Sequence, residues 1–484
     1  MNLETLLEMR IELRSVTAAA WVALATLLGA CGDDNGTNPP PTSSDPGVAT
    51  LTSIQASRTL YSDTTYTLSG YVKVTNGATL TIQPGTKIVG DTNVAGSSLW
   101  ITRGAKIVAV GTANNPIVFT SARSAGNRKP GDWGGLLIIG NAKINRTGTQ
   151  IFTEGPNEAH EDYSGGTNDA DSSGVLKYVR IEFAGYDVSN GQGQELNSIS
   201  SYAVGSKTTY DYIESVTGLD DAFEFFGGKV DIRHMLSFES GDDHFDWTEG
   251  YQGRGQYLIA LQTSVIQPRS GTGIVSSDPR GFEGDGCENT KAGCVYTNAP
   301  YSMPVWANFT IIGPGAGVFT PIHGDGAIIR RGSGGSFVNG IIGRWPGNGV
   351  TIVDGESNAL IAKDSLYFRN IILAENVTNF EPAGTNFGNV LETNAAAWNI
   401  STATLASIFS GALPTGTTTV TTSNLNLTPT GAAATGGLST FTPILTARTT
   451  SFFGSAMPGT AYMGAVEPGA TAKWYEGWTV FTRS

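Results

Sequence analysis

The sequence predicts an all-β chain wound as one right-handed parallel β-helix, a solenoid that follows an export signal and a disordered tether. Composition, internal repeats and the alternation of apolar residues within short runs carry the prediction. Of 484 residues, 63 are Gly and only 15% are charged, the profile of many short strands joined by tight turns. Amphipathic helical runs of a dozen residues are nearly absent beyond position 50. A formal net charge of −13 lacks the basic footprint that nucleic acid requires, and it equally disfavours docking on anionic lipid by charge.

From the N-terminus, Arg10 and Arg14 precede an apolar stretch from Val16 to Ala30, and Cys31 follows. A basic flank before a short apolar run is a secretory pattern, and this run is too short for a spanning helix. Leu28-Gly29-Ala30-Cys31 has the form of a lipobox, the cleavage site of bacterial lipoprotein signals. Residues 1–30 are therefore expected to be a signal peptide and Cys31 a lipidated anchor in outer-membrane lipid. Glu4, Glu8 and Glu12 are unusual in such a segment, and a start at Met9 rather than Met1 would remove two of them. The alternative is a buried helix followed by a chance Cys. Residues 31–50 carry four prolines among Ser, Thr, Asn and acids, the composition of a disordered linker. Asp33 and Asp34, directly after the anchor, resemble the surface-export signals of some Gram-negative lipoproteins. That points to the exterior face of the outer membrane, with the periplasmic face as the alternative.

Residues 51–484 read as a single β-helix domain, because internal repeats run through them. Leu80-Thr-Ile82-Gln-Pro-Gly85-Thr-Lys87-Ile88-Val89 recurs 19 residues on as Leu99-Trp-Ile101-Thr-Arg-Gly104-Ala-Lys106-Ile107-Val108. Leu136-Leu-Ile138 is a further copy, read as about two coils beyond. Apolar residues alternate within each run, so each is a half-buried strand, and stacked coils give a continuous core. In the C-terminal half, Asn308, Asn339 and Asn370 open similar runs 31 residues apart. Asn at one corner of stacked coils is expected to form a ladder of amides. The spacing predicts about 12–15 coils of roughly 20–30 residues. Trp474 and Trp478 are expected to cap the last coil, since an open β-helix end is an unpaired edge.

Only Cys287 and Cys294 remain after Cys31, in a Gly-flanked loop. The expected arrangement is one anchor and one disulfide in an oxidising compartment.

Asp220-Asp221-Ala222-Phe223-Glu224-Phe225 recurs 22 residues later as Asp242-Asp243-His244-Phe245-Asp246-Trp247, and Gly281-Phe282-Glu283 is a candidate third copy. If these are equivalent corners, acids stack on acids at about one strand spacing. Alternation turns Phe223 and Phe225 inward with Asp221, and turns Asp220, Ala222 and Glu224 outward beside Asp242, His244 and Asp246. Crowded carboxylates either hold protons or take a hard cation, for which calcium is the candidate. Asp220, Asp221, Glu224, Asp242, Asp243 and Asp246 are thus candidate calcium ligands. A solvated acidic face with turn-capping aspartates is the structural alternative. Asp242, Asp243, Glu224 and Asp246 are also candidate catalytic acids for glycoside hydrolysis, which needs two carboxyls flanking the scissile bond. His323-Gly-Asp325 and Arg330-Arg331 loosely resemble parts of β-helix polysaccharide hydrolases, but lie about 80 residues from the paired acids. The four histidines, His160, His234, His244 and His323, show no metal spacing. Trp133, Trp247, Trp306, Trp345, Tyr251 and Tyr301 could stack sugar rings or plug the core.

Val74-Thr-Asn-Gly77-Ala-Thr-Leu80-Thr-Ile82-Gln-Pro84-Gly85, Asn115-Pro-Ile-Val-Phe-Thr-Ser121 and Gly131-Asp-Trp133-Gly-Gly135 resemble the opening coils of right-handed β-helix proteins of the pectate-lyase-like superfamily. Tyr178-Val-Arg-Ile-Glu-Phe-Ala-Gly185, Gly241-Asp-Asp-His-Phe-Asp-Trp-Thr-Glu-Gly-Tyr251 and Trp474-Tyr-Glu-Gly-Trp478 resemble segments of a family of secreted or lipid-anchored β-helix proteins of Gram-negative bacteria. That resemblance spans about residues 55 to 482 and implies fold and location, with no established activity. Two functions follow as expectations. One is a non-enzymatic surface module that binds glycan or extracellular matrix with calcium. The other is a surface-anchored polysaccharide hydrolase or lyase.

Overall fold

The computed structural model describes residues 42–43, 47–189, 193–319, 324–382, 386–441 and 451–484. The expected signal peptide, Cys31 and most of the linker lie outside the described residues, as does His323. The chain divides into Met1–Thr42 and Ser43–Ser484, and all described strands belong to the second unit.

Two large sheets, of fifteen and ten strands, make up the helix among the described residues, and their pairings are parallel. The physical cause is the alternation in each short run. Thr64–Leu68 buries its first, third and fifth residues, and Tyr71–Val74 buries Val72 and Val74. Each strand so supplies one row of apolar side chains to a core shared by all coils. No strand could bury that row alone.

The long strands of the larger sheet are kinked. Tyr178, Tyr212, His234, Tyr257, Asn308, Asn339 and Asn370 fall in one column of the register. All have φ between 50° and 61°, a left-handed conformation that bends a strand. Asn and His adopt it more readily than most side chains. The expected Asn ladder is therefore mainly a column of bends. Asn399 does donate to Asn370 Oδ1 at 3.1 Å. Asn308 and Asn339 instead donate to Thr460 Oγ1, in the C-terminal segment.

Two expectations about the coils need correction. The 19-residue repeat is not a coil. Leu80 pairs with Ile107, 27 residues on, whereas Leu99 belongs to the other sheet and pairs with Val72. Leu136 pairs directly with Leu99, so the 37 residues between them make one coil, not two. Short apolar runs bounded by turn residues mark strands on every face alike, so the sequence does not say which face a strand occupies. The larger sheet stacks twelve strands along its main path and the smaller sheet ten, so the described helix holds twelve coils at most, the low end of the 12–15 expected. The chain beyond Ile400–Ala403 leaves the helix. Its Leu405, Ile408, Leu425, Met463, Val466 and Tyr475 cover the outer faces of Leu236, Phe238, Ile259, Leu261, Ile341 and Ile372.

Trp474 and Trp478 do not cap the last coil. Trp478 packs edge-on against Tyr178 and Tyr212, at 5.7 and 6.2 Å, and Trp474 lies 5.2 Å from the His234 ring. The C-terminal segment therefore runs along the flank, where Arg180 donates to the Trp478 carbonyl at 3.0 Å. Cys287 and Cys294 are disulfide-bonded, with Cα atoms 5.1 Å apart.

Candidate functional site

Strands Phe223–Phe226, Phe245–Thr248 and Phe282–Asp285 pair in register, so Phe223, Phe245 and Phe282 form one column and Glu224, Asp246 and Glu283 the next. The phenyl column packs into the core with ring centres 5.3 and 5.6 Å apart. The acidic column faces outward by alternation. The 22-residue offset is thus one coil. The coils approach closely at this corner because residue 241 is Gly: a Cβ there would lie 1.7 Å from the Leu219 carbonyl oxygen.

Asp220, Asp221, Glu224, Asp242, Asp243 and Asp246 all line one cleft of about 690 Å³. Glu154, Asp187, Glu195 and Glu283 line it as well, and among the described residues no basic side chain does. Asp187 and Glu195 pair with each other in a two-stranded antiparallel ribbon, and Glu154 lies in a loop; all three fall outside any repeat, so sequence periodicity gave no signal for them.

Alternation fails just before each strand. Asp221, expected to point inward, lines the cleft. Ala222 and His244, expected to point outward, are buried to about 1% and 0% exposure, with His244 edge-on to Trp345. The regular strands begin only at Phe223 and Phe245, and the bend before them resets which face each residue meets.

That bend gives the acids two roles. Asn197 Oδ1 accepts the Asp221 amide at 3.1 Å, Asp221 Oδ1 the Asp243 amide at 2.8 Å, and Asp243 Oδ1 the Arg280 amide at 2.6 Å. Further along, Asp325 Oδ1 accepts the Asn348 amide at 2.6 Å. Asp221 and Asp243 therefore bond coil to coil through one oxygen each, and Asp325 through both, since its Oδ2 accepts from Thr351 Oγ1 at 2.7 Å. Asp242 and Asp246 each retain a buried oxygen, Oδ1, with no hydrogen-bond partner.

Burial first, and then neighbouring carboxylates, raise the proton affinity of the whole group. Asp242 is pushed up to about 7 by burial, with Glu283 adding to it. Asp220, Asp221, Glu224, Asp243 and Asp246 are held well above the ordinary carboxylate range for the same reasons. Glu283 departs from the rest. Burial raises it, but Arg280 and Arg330 together outweigh that and leave it lowered. Both guanidiniums pair with it directly. Arg330 and Arg331 also pair with Asp285, so these arginines serve a charge network beside the cleft.

Three groups offer converging carboxylate oxygens, all within 4.8 Å of one another in each: Asp220, Asp221 and Asp242; Asp221, Glu224 and Asp246; and Asp243, Asp246 and Glu283. The first two suit a hard cation, because a buried carboxylate oxygen without a donor is costly unless an ion or proton satisfies it. In the third, Glu283 is already neutralised by arginine.

The aromatic candidates are elsewhere. Trp133, Trp247, Trp306, Trp345 and Tyr251 are 0% exposed, and Tyr301 packs half-buried against the core. They plug the core and are not sugar platforms.

Residues 52–420 match the family model described as a pectate-lyase like β-helix domain. No curated protein and no solved structure matches the chain.

Proposed function

The chain belongs to the family of pectate-lyase-like β-helix domains, and from that premise we propose that it is a cell-surface, lipid-anchored module whose carboxylate cleft binds calcium and, through it, glycan or extracellular matrix. The observation that carries the reading is the pair of partnerless buried oxygens on Asp242 and Asp246, each within a cluster of convergent carboxylates. Calcium takes several carboxylate oxygens and tolerates irregular geometry. Asp220, Asp221 and Asp242 would hold one ion, with Glu224 and Asp246 extending the site. An ion so held leaves coordination positions for sugar hydroxyls or carboxylates from outside.

The hydrolase or lyase alternative has less support. Among the described residues no aromatic side chain lines the cleft, and Asp243 has one oxygen committed to the Arg280 amide. The lipobox at Cys31 supports the anchor, and the Cys287–Cys294 bond suits an oxidising compartment. Among the described residues, no helix is long and apolar enough to cross a membrane. A glycan and matrix-protein array, probed with and without calcium, tests the reading. Calcium-dependent retention on a defined ligand set supports it; retention unchanged by chelation contradicts it.

A further inference from the structure

A second cavity, of about 260 Å³, lies where the C-terminal segment crosses the column of kinked strands, and it shares no residue with the carboxylate cleft. Its inner wall is built around His234. The imidazole is stacked between Tyr212 and Tyr257, with ring centres 4.2 and 5.0 Å away. Its Nδ1 lies 2.8 Å from Asp211 Oδ1. Arg233 also binds Asp211, at 2.8 Å, and Asp211 is held in its ionised form: burial raises it, but His234 and Arg233 together outweigh that.

An ionised carboxylate only accepts, so Nδ1 carries the proton and donates. Burial lowers the proton affinity of His234 despite Asp211, which leaves the ring neutral at pH 7. Nε2 therefore bears a lone pair. His234 lines the cavity, and among the described residues its ring hydrogen-bonds the protein through Nδ1 alone.

The outer wall comes from the C-terminal segment. Trp474 is half-buried, and its indole N–H, bonded to the Ala465 carbonyl at 2.9 Å, fixes the ring. Tyr462 and Tyr257 face each other across the seam, close enough that each perturbs the other's hydroxyl. Glu467 and Lys473 lie on the lining, and Lys473 is paired with Glu476 at 2.7 Å, with its other ammonium protons left to donate.

We propose that this cavity is a second binding site, which takes a single uncharged sugar ring. The ligand must give a hydroxyl proton to His234 Nε2 and to Glu467, accept from Lys473, and lay an apolar face against Trp474. A pyranose combines these features, since its ring has an apolar face and a polar edge that suit Trp and Tyr. Glu467 and the Lys473–Glu476 pair leave no net positive charge on the lining, which disfavours an anionic ligand. The volume lies just under the range of drug-sized sites and suits one ring. The site goes beyond the calcium cleft and needs no metal.

The test uses the mature chain in excess chelator, with glucose, galactose and N-acetylglucosamine as probes at millimolar concentration. At least one should shift the His234 Nε2 nitrogen resonance and the Trp474 fluorescence. His234→Phe keeps the ring stack and should weaken that binding about tenfold or more through loss of the acceptor. Glu467→Gln, at an exposed position, should weaken it without any folding cost, which keeps the test informative if His234→Phe misfolds. Asp242→Asn should leave it unchanged, so failure here is distinguishable from failure of the calcium reading. The proposal is overturned if no probe moves His234 Nε2, if binding is unaffected in both variants, or if chelation abolishes it. A response to acetate or phosphate in place of every sugar would overturn the ligand class.

Discussion

Asp221 and Asp243 occupy the same corner of neighbouring coils, and the Asp243 amide donates to Asp221 Oδ1 at 2.8 Å. The chain of such bonds begins at Asn197 and stops at Arg280, whose side chain has no acceptor to offer. Part of the acidic repeat thus holds coils together, while Asp242 and Asp246 face the cleft with unmet oxygens.

Asp221→Ala should destabilise the fold by about 1–3 kcal/mol, because the buried Asp243 amide loses its acceptor. Asp221→Asn keeps an oxygen at that position and relieves like-charge repulsion, so its loss should be much smaller. Urea denaturation in calcium-free buffer separates the two. Equal losses would contradict the coil-bonding role.

The pH dependence has a definite sign. Asp242 and Glu154 are both raised to about 7, chiefly by burial. A raised acid binds its proton more tightly when folded. Its contribution is therefore complete below the unfolded value of about 4 and lost as pH rises through about 7. Calcium-free protein should melt at a lower temperature at about pH 8 than at about pH 5, and calcium should restore more at the higher pH, where it displaces no proton. Thermal melts at both pH values check this. A calcium gain that is equal or larger at the lower pH would contradict it.

Removing the disulfide by Cys287→Ser with Cys294→Ser should cost about 2–3 kcal/mol, a modest value because the closed loop is short. The bond spans a sequence separation of 7. Chemical denaturation measures the cost. Thiol titration of envelope-purified protein should find neither cysteine free, and free thiols at both positions would contradict the assignment.

Cys31→Ala should abolish membrane fractionation and lipid labelling while leaving the circular dichroism of the β-helix unchanged, since the linker separates anchor from fold. Lipid labelling that persists in the variant would remove the anchor.

The coil path was legible where strand and repeat coincide. The 22-residue offset of Asp220 and Asp242 and the 31-residue offset of Asn308 and Asn339 both equal one coil, because each repeat includes its corner as well as its strand. Leu80 and Leu99 misled because alternation marks a strand without saying which face it occupies. Position within the cleft was legible for Glu224 and Asp246, which lie inside strands. It was not for Asp221 or His244, which lie in the bend before them. The flank-covering role of residues beyond 403 left a faint signal. Val305–Ile312 is buried at every position, as a sheet covered on both faces requires.

The most direct test of the central claim is isothermal titration of calcium into the mature protein and into an Asp242→Asn, Asp246→Asn double variant. The parent should bind calcium saturably, and the variant should keep its circular dichroism yet bind about tenfold or more weakly. No calcium binding by the parent, or equal affinity in the variant, would contradict the account.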